Sequence, residues 1–156
     1  MSNTIQAIIN LINRPQLELV EYYNSRHRAN SDGGSLEEYI KDLYADTFNE
    51  TDESRRKEKI DEVFSYLGND SNPPDAMLRG GDAIEVKKIE SAKADIQLNS
   101  SYPKRKLEST SSMISQDCRN SEEGKWEKDL LYVVGHVKNK RLKSIFMVYG
   151  DDYAAS

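Results

Sequence analysis

A mixed α/β domain, a β-sheet flanked by helices, is what the order of patterns along this chain predicts. Three observations carry that expectation. Apolar residues recur at helical spacing through the first third, apolar runs of strand length dominate from Val63 onward, and a Gly-Gly turn at 80–81 joins two of those runs. The 156 residues fit one domain, large enough to bury a core without disulfide or metal staples.

Taken in order, Ile5, Ile8, Ile9 and Ile12 predict a short amphipathic helix over 4–13 that stops before Pro15. Leu17 to Tyr23 also reads as helical, and "RHRANSDGG" as a polar loop. Leu36, Tyr39, Ile40 and Leu43 share one stripe, which predicts the main helix over 36–48. "TDESRRKEKIDE" follows as a charged surface helix. Strands are then predicted at "VFSYLG", "DAMLR", "AIEVKKI", "LLYVVGHV" and "KSIFMVYG". The chain stops six residues after Gly150, with neither a polar tail nor another helix predicted, as in a chain cut short.

Composition narrows the classes of function. Cys118 is the single cysteine, so an intrachain disulfide is ruled out and a reducing, cytoplasmic setting is expected. The N-terminus has no basic leader segment, and Gln6, Asn10 and Asn13 break its apolar run, so neither a signal peptide nor a membrane span is expected there. No internal repeat or low-complexity tract is visible. A net charge of −5 argues against unspecific coating of nucleic acid, which depends on many phosphate contacts. The charge is uneven, however. Residues 32–62 hold eleven acids against five bases, whereas 79–108 hold seven bases against five acids, so a polyanion would be met by one side only.

Chemistry concentrates in "NPPDAMLRGGDAIEVKKIES", residues 72–91. A two-residue Gly80-Gly81 turn would set Asp75 against Val86 and make the apolar faces disagree. A three-residue connection over Arg79–Gly81 sets Leu78 against Asp82, Ala76 against Ile84 and Asp75 against Glu85. Ala76, Leu78, Ile84 and Val86 then share one face, and Asp75, Glu85 and Lys87 the other, so the apolar pattern selects this register. Two facing carboxylates repel unless a cation lies between them, and a hard divalent ion with oxygen ligands, Mg²⁺ foremost, resolves that repulsion. Lys87 beside them is suited to positioning an attacking water, assisting its deprotonation or stabilising charge on a phosphate. The same spacing also describes an ordinary surface hairpin with a cross-strand Glu–Lys pair.

These residues resemble the PD-(D/E)XK nuclease motif, with Pro74-Asp75 for "PD" and Glu85-Val86-Lys87 for "EXK". The longer stretches "FSYLGNDSNPPDAMLRGGDAIEVKKIES", "LNSSYPKRKL" and "KWEKDLLYVVGHV" look like the NgoPII-type restriction endonucleases, with resemblance from near Ile5 to about Ala154. The resemblance implies Mg²⁺-dependent cleavage of double-stranded DNA at a short palindrome, GGCC. Asp75 and Glu85 would be the metal ligands and Lys87 the catalytic lysine. It further implies a homodimer, a companion DNA methyltransferase, and a chain that corresponds to the N-terminal, catalytic portion of longer family members. An inactive relic that binds only DNA or protein is the competing expectation. An acid from the helix preceding the sheet often joins such sites, and Glu37 and Glu38 both qualify. Ser35-Leu36-Glu37-Glu38 matches a capping box, which would occupy Glu38 and leave Glu37 for the hairpin, so Glu37 is preferred.

Other signals are weaker. Asn99, Ser100, Ser101, Lys104, Arg105 and Lys106 mix hydrogen-bonding and cationic groups in a pattern suited to contacting DNA, and a solvated loop would look much the same. Arg26, Arg28 and Asn30 are a lesser candidate of that kind. Lys88 should point away from Glu85 and Lys87. His27 and His136 have no Cys or His at ligand spacing, so zinc is not expected. Trp126 reads as a core anchor, and Cys118 has no visible catalytic partner.

Overall fold

The computed structural model describes residues 3–13, 15, 17–19, 32–96 and 103–154. Helix α1 spans Thr4–Asn13, α2 Asp32–Ala45 and α3 Glu53–Val63. Strands β1 (Phe64–Tyr66), β2 (Ala76–Leu78), β3 (Ala83–Ile89) and β4 (Lys106–Glu108) precede the short helix α4 (Gln116–Asn120). The long β5 (Glu127–Lys138), β6 (Arg141–Tyr149) and a one-turn helix α5 (Gly150–Tyr153) close the order. The described strands form one mixed sheet in the order β1-β2-β3-β5-β4, with β6 also paired to β5. The β3–β5 pair at its centre is parallel and the other pairs are antiparallel. Among the described residues no helix is long and apolar enough to cross a membrane.

Both faces of the sheet are covered, and this decides the environment of the hairpin. On one face Leu36, Tyr39, Ile40 and Leu43 of α2 pack on Ala76, Leu78, Ile84, Leu131 and Val133. The helix rides close over β5 because residue 135 is glycine: a Cβ there would come within 2.6 Å of the Leu36 side chain. On the other face Met77, Ala83, Leu130 and Tyr132 form a second layer with Leu107, Ile114 and Cys118, and Trp126 packs against it. Glu85 borders this second layer, lining a narrow cavity with Leu107, Leu130 and Tyr132.

Helix α3 starts at Asp52, whose carboxylate accepts from the Ser54 and Arg55 amides. Its buried residues are Ile60 and Arg56, the latter at 6 % exposure. The guanidinium donates from Nε to Asp42 Oδ1 and from Nη2 to Asp42 Oδ2, both at 2.9 Å, and to Glu38 Oε2 at 3.2 Å. Removing one partner of such a cluster strands buried charge, so Arg56→Met is expected to destabilise the fold by about 3–5 kcal/mol. Urea unfolding of the two proteins measures the difference.

Several boundaries differ from the sequence expectation. Helix α2 begins at Asp32 and ends at Ala45, not at 36 and 48. Ser35 therefore lies inside the first turn, not at the N-cap, and the capping-box argument for Glu38 does not hold. The last strand is followed by a helical turn, α5, where none was expected. Most of the expected helix Leu17–Tyr23, the loop with Arg26, His27, Arg28 and Asn30, and Asn99, Ser100 and Ser101 lie outside the described residues.

Candidate active site

The β2–β3 hairpin adopts the three-residue connection. Ala76 pairs with Ile84 and Met77 with Ala83, the Leu78 amide donates to Asp82 O at 2.9 Å, and Gly80 takes the left-handed φ of 63° the turn requires. The strand pairing ends at Ala76, and Asp75 departs from the expected place opposite Glu85: its amide donates to the same Ile84 carbonyl that lies across from Ala76, at 3.0 Å. A buried lysine braces the turn from β5, with Lys128 Nζ donating to Leu78 O at 2.8 Å and Gly81 O at 2.9 Å and pairing with Glu122 at 2.7 Å. Lys128 went unnoticed in the sequence, because two of its three partners named here are backbone carbonyls about 50 residues away.

Asp75 is fixed from two sides. Its Oδ2 accepts the Val86 amide at 2.6 Å, and its own amide donates to Ile84 O at 3.0 Å. Gly68, at φ 82°, passes so close that a Cβ would lie 2.4 Å from the Asp75 carbonyl oxygen. Asp75, Glu85 and Lys87 line a cavity of about 110 Å³ with Pro73 and the 69–72 loop. Asn69 shapes that loop by accepting the Ser71 and Asn72 amides at 2.9 and 2.8 Å.

Glu85 is 5 % exposed. Lys87 Nζ lies 3.5 Å from its Oε2, while its buried Oε1 has no hydrogen-bond partner. Burial, then the charge of Asp75, pushes the Glu85 carboxyl up to about 7. Burial also raises Asp75, against the Val86 amide and Lys87, which both favour its charged form.

Glu37 and Glu38 part company for a reason the sequence did not show. Glu38 is held by Lys41 at 3.0 Å and by Arg56 at 3.2 Å. Glu37 lies within reach of the hairpin's field: burial and then Asp75 push its carboxyl up to about 7, and Asp70 adds to the rise. Glu37, Asp75 and Glu85 thus form one electrostatic group.

The donor set fits a hard cation. It offers carboxylates only, one oxygen of which is buried without a hydrogen bond, and charge repulsion that a cation would relieve. Among the described residues no three acidic, His or Cys side chains converge closely enough to enclose a metal by themselves. Such a set suits an ion that completes its shell with water and substrate oxygens, as Mg²⁺ does.

Other candidates fall elsewhere. Lys88 pairs with Glu90 at 3.0 Å. Arg105 pairs with Asp151 at 2.5 Å and Lys106 with Glu127 at 2.5 Å, both exposed, whereas Lys104 sits beside Glu85 and Tyr132. Trp126 donates from Nε1 to Arg119 O at 3.1 Å. Burial pushes the Cys118 thiol up to about 11, which leaves it inert.

A mixed sheet flanked by helices, with Asp75, Glu85 and Lys87 lining one cavity beside its hairpin, is consistent with a restriction-endonuclease-like domain. The chain belongs to the NgoPII restriction endonuclease family, whose model matches residues 2–156. It is 54 % identical over 155 residues to the type II restriction enzyme NgoPII of Neisseria gonorrhoeae, an alignment covering 98 % of this chain and 55 % of that protein. The chain thus spans about half the length of this curated relative. No solved structure matches it.

Proposed function

We propose that this chain is the catalytic domain of a type II restriction endonuclease, hydrolysing phosphodiester bonds of double-stranded DNA at a short palindrome. One observation carries the reading: the β2–β3 hairpin and the loop before it gather Asp75, Glu85 and Lys87 along one cavity. Asp75 and Glu85 hold the divalent cation, Mg²⁺ by preference for oxygen ligands, and Glu37 adds charge on the helix side. When bound, that cation neutralises charge on the phosphate and makes water easier to deprotonate. Lys87 orients the attacking water against the phosphate and offsets the negative charge that develops there. The GGCC site, a homodimer that places two such sites on a palindrome, a companion methyltransferase and a cytoplasmic setting follow from the family resemblance and belong to the same proposal.

The direct test is incubation of the chain with a GGCC-containing duplex, with and without Mg²⁺. Discrete Mg²⁺-dependent fragments are expected. Cleavage should fall about 10²-fold or more in Glu37→Gln and much less in Glu38→Gln. Well-folded protein that binds DNA but never cuts it would favour a binding module instead.

A further inference from the structure

The loop that walls the catalytic cavity carries an acid of its own. Asp70 borders the same space of about 110 Å³ as Asp75, Glu85 and Lys87. It is exposed, and its carboxylate has no hydrogen bond or ion pair among the described residues. We propose that Asp70 is a positioning residue of the cation site: it accepts a hydrogen bond from a water on the bound divalent cation, and until that cation arrives it holds DNA phosphates off. This rests on the nuclease reading above.

The loop is pinned around Asp70. Gly68 abuts Asp75, where a Cβ would lie 2.4 Å from the Asp75 carbonyl oxygen. Asn69 accepts the Ser71 and Asn72 amides and donates from Nδ2 to Tyr66 Oη at 3.1 Å, while Asn72 Nδ2 donates to Met113 O at 3.1 Å. Fixed neighbours on both sides therefore present the Asp70 carboxylate. Its charge reaches Glu37 on α2, as that of Asp75 does.

Two observations point to a ligand here. Glu85 borders the same cavity at 5 % exposure, and its buried Oε1 has no hydrogen-bond partner, an atom a cation would satisfy. The charges are also unbalanced: the cations acting on Glu37, Asp75 and Glu85 are Lys41 and Lys87, and Lys41 is itself paired with Glu38. Among the described residues no three acidic, His or Cys side chains converge closely enough to enclose a metal, so Asp70 reaches the ion through water. The cavity has room for an ion with several of its waters. Without the cation, an unpaired carboxylate at the exposed edge faces the phosphates the site must receive, and like charges repel.

The chain is compared with Asp70→Ala, which removes the acceptor, and Asp70→Asn, which keeps a carbonyl acceptor without the charge. At pH 7.5 two affinities are measured: for Mn²⁺ without DNA by calorimetry, and for a GGCC duplex in chelator by fluorescence anisotropy. Asp70→Ala is expected to bind Mn²⁺ about tenfold more weakly, and Asp70→Asn to recover about threefold of that loss. Both variants should bind the metal-free duplex about threefold more tightly at low salt, a gain that fades as salt screens it. Urea unfolding in chelator should leave both as stable as the parent, since no described residue bonds to that carboxylate. No Mn²⁺ binding by the parent, parent-like Mn²⁺ affinity in Asp70→Ala, metal-free duplex binding that is unchanged or weaker, or a loss of stability would each overturn the proposal. Failure of the nuclease reading is seen separately, as a parent chain that gives no Mg²⁺-dependent cleavage, and the two affinities still decide on Asp70.

Discussion

Lys87→Met is expected to lower DNA cleavage by about 10³-fold while divalent-cation affinity is kept or slightly improved. The two effects separate because Lys87 and the cation act on the same carboxylates with the same sign of charge. Lys87 Nζ lies 3.5 Å from Glu85 Oε2 and favours the ionised forms of both Glu85 and Asp75. Removing it takes a competing positive charge from beside the proposed cation ligands, so binding is expected not to suffer. What is lost is the group proposed to meet the attacking water and the phosphate. Calorimetric titration with Mn²⁺, set beside single-turnover cleavage, measures both quantities. A variant that lost cation binding in step with cleavage would show that Lys87 holds the hairpin together instead.

Glu85→Gln should change how stability depends on pH. In the folded protein burial, and then Asp75, raises the Glu85 carboxyl from 4.5 to about 7. Between those values the unfolded chain is ionised while the folded chain retains its proton, so the native state binds more protons and stability falls as pH rises. The penalty is absent below about pH 4.5 and fully present above about 7. Glutamine never ionises. The variant should therefore gain on the parent through this window by on the order of 1–3 kcal/mol, in chelator, while losing cation binding and cleavage. Urea unfolding at pH 4.5, 6 and 7.5 reads the difference, and parallel curves would contradict the assignment. A site that costs stability without its cation is a common cost of catalytic machinery.

The hairpin was legible because its information is local. Apolar alternation over Asp75–Val86 admits one register that buries Ala76, Leu78, Ile84 and Val86 together, and a glycine at the turn allows it. The choice of Glu37 over Glu38 was reached through a capping box that α2 does not form. Asp32, Gly33 and Gly34 read as loop because glycine is a poor helix former, yet the helix starts there. Glu38 is occupied by Lys41, three positions on in the same helix, and by Arg56, 18 positions on in another helix, where pattern reading has no reach. The parallel pairing of β3 with β5 was equally out of sight, since more than 30 residues intervene between Ile89 and Glu127. That pairing decides the most about the site. It puts Tyr132 beside Glu85, brings Lys104 to the same cavity and buries the second face of the hairpin, which sequence alternation alone would have left wet.

The central claim is that Asp75 and Glu85 form a divalent-cation site on the hairpin. Calorimetric titration of Mn²⁺ into the chain and into Asp75→Ala, without DNA, tests it most directly. Binding by the parent chain that strengthens as pH rises from 5.5 to 7.5 and is lost in Asp75→Ala is the predicted result. Equal binding by both proteins, or none by a folded parent chain at pH 7.5, would contradict it.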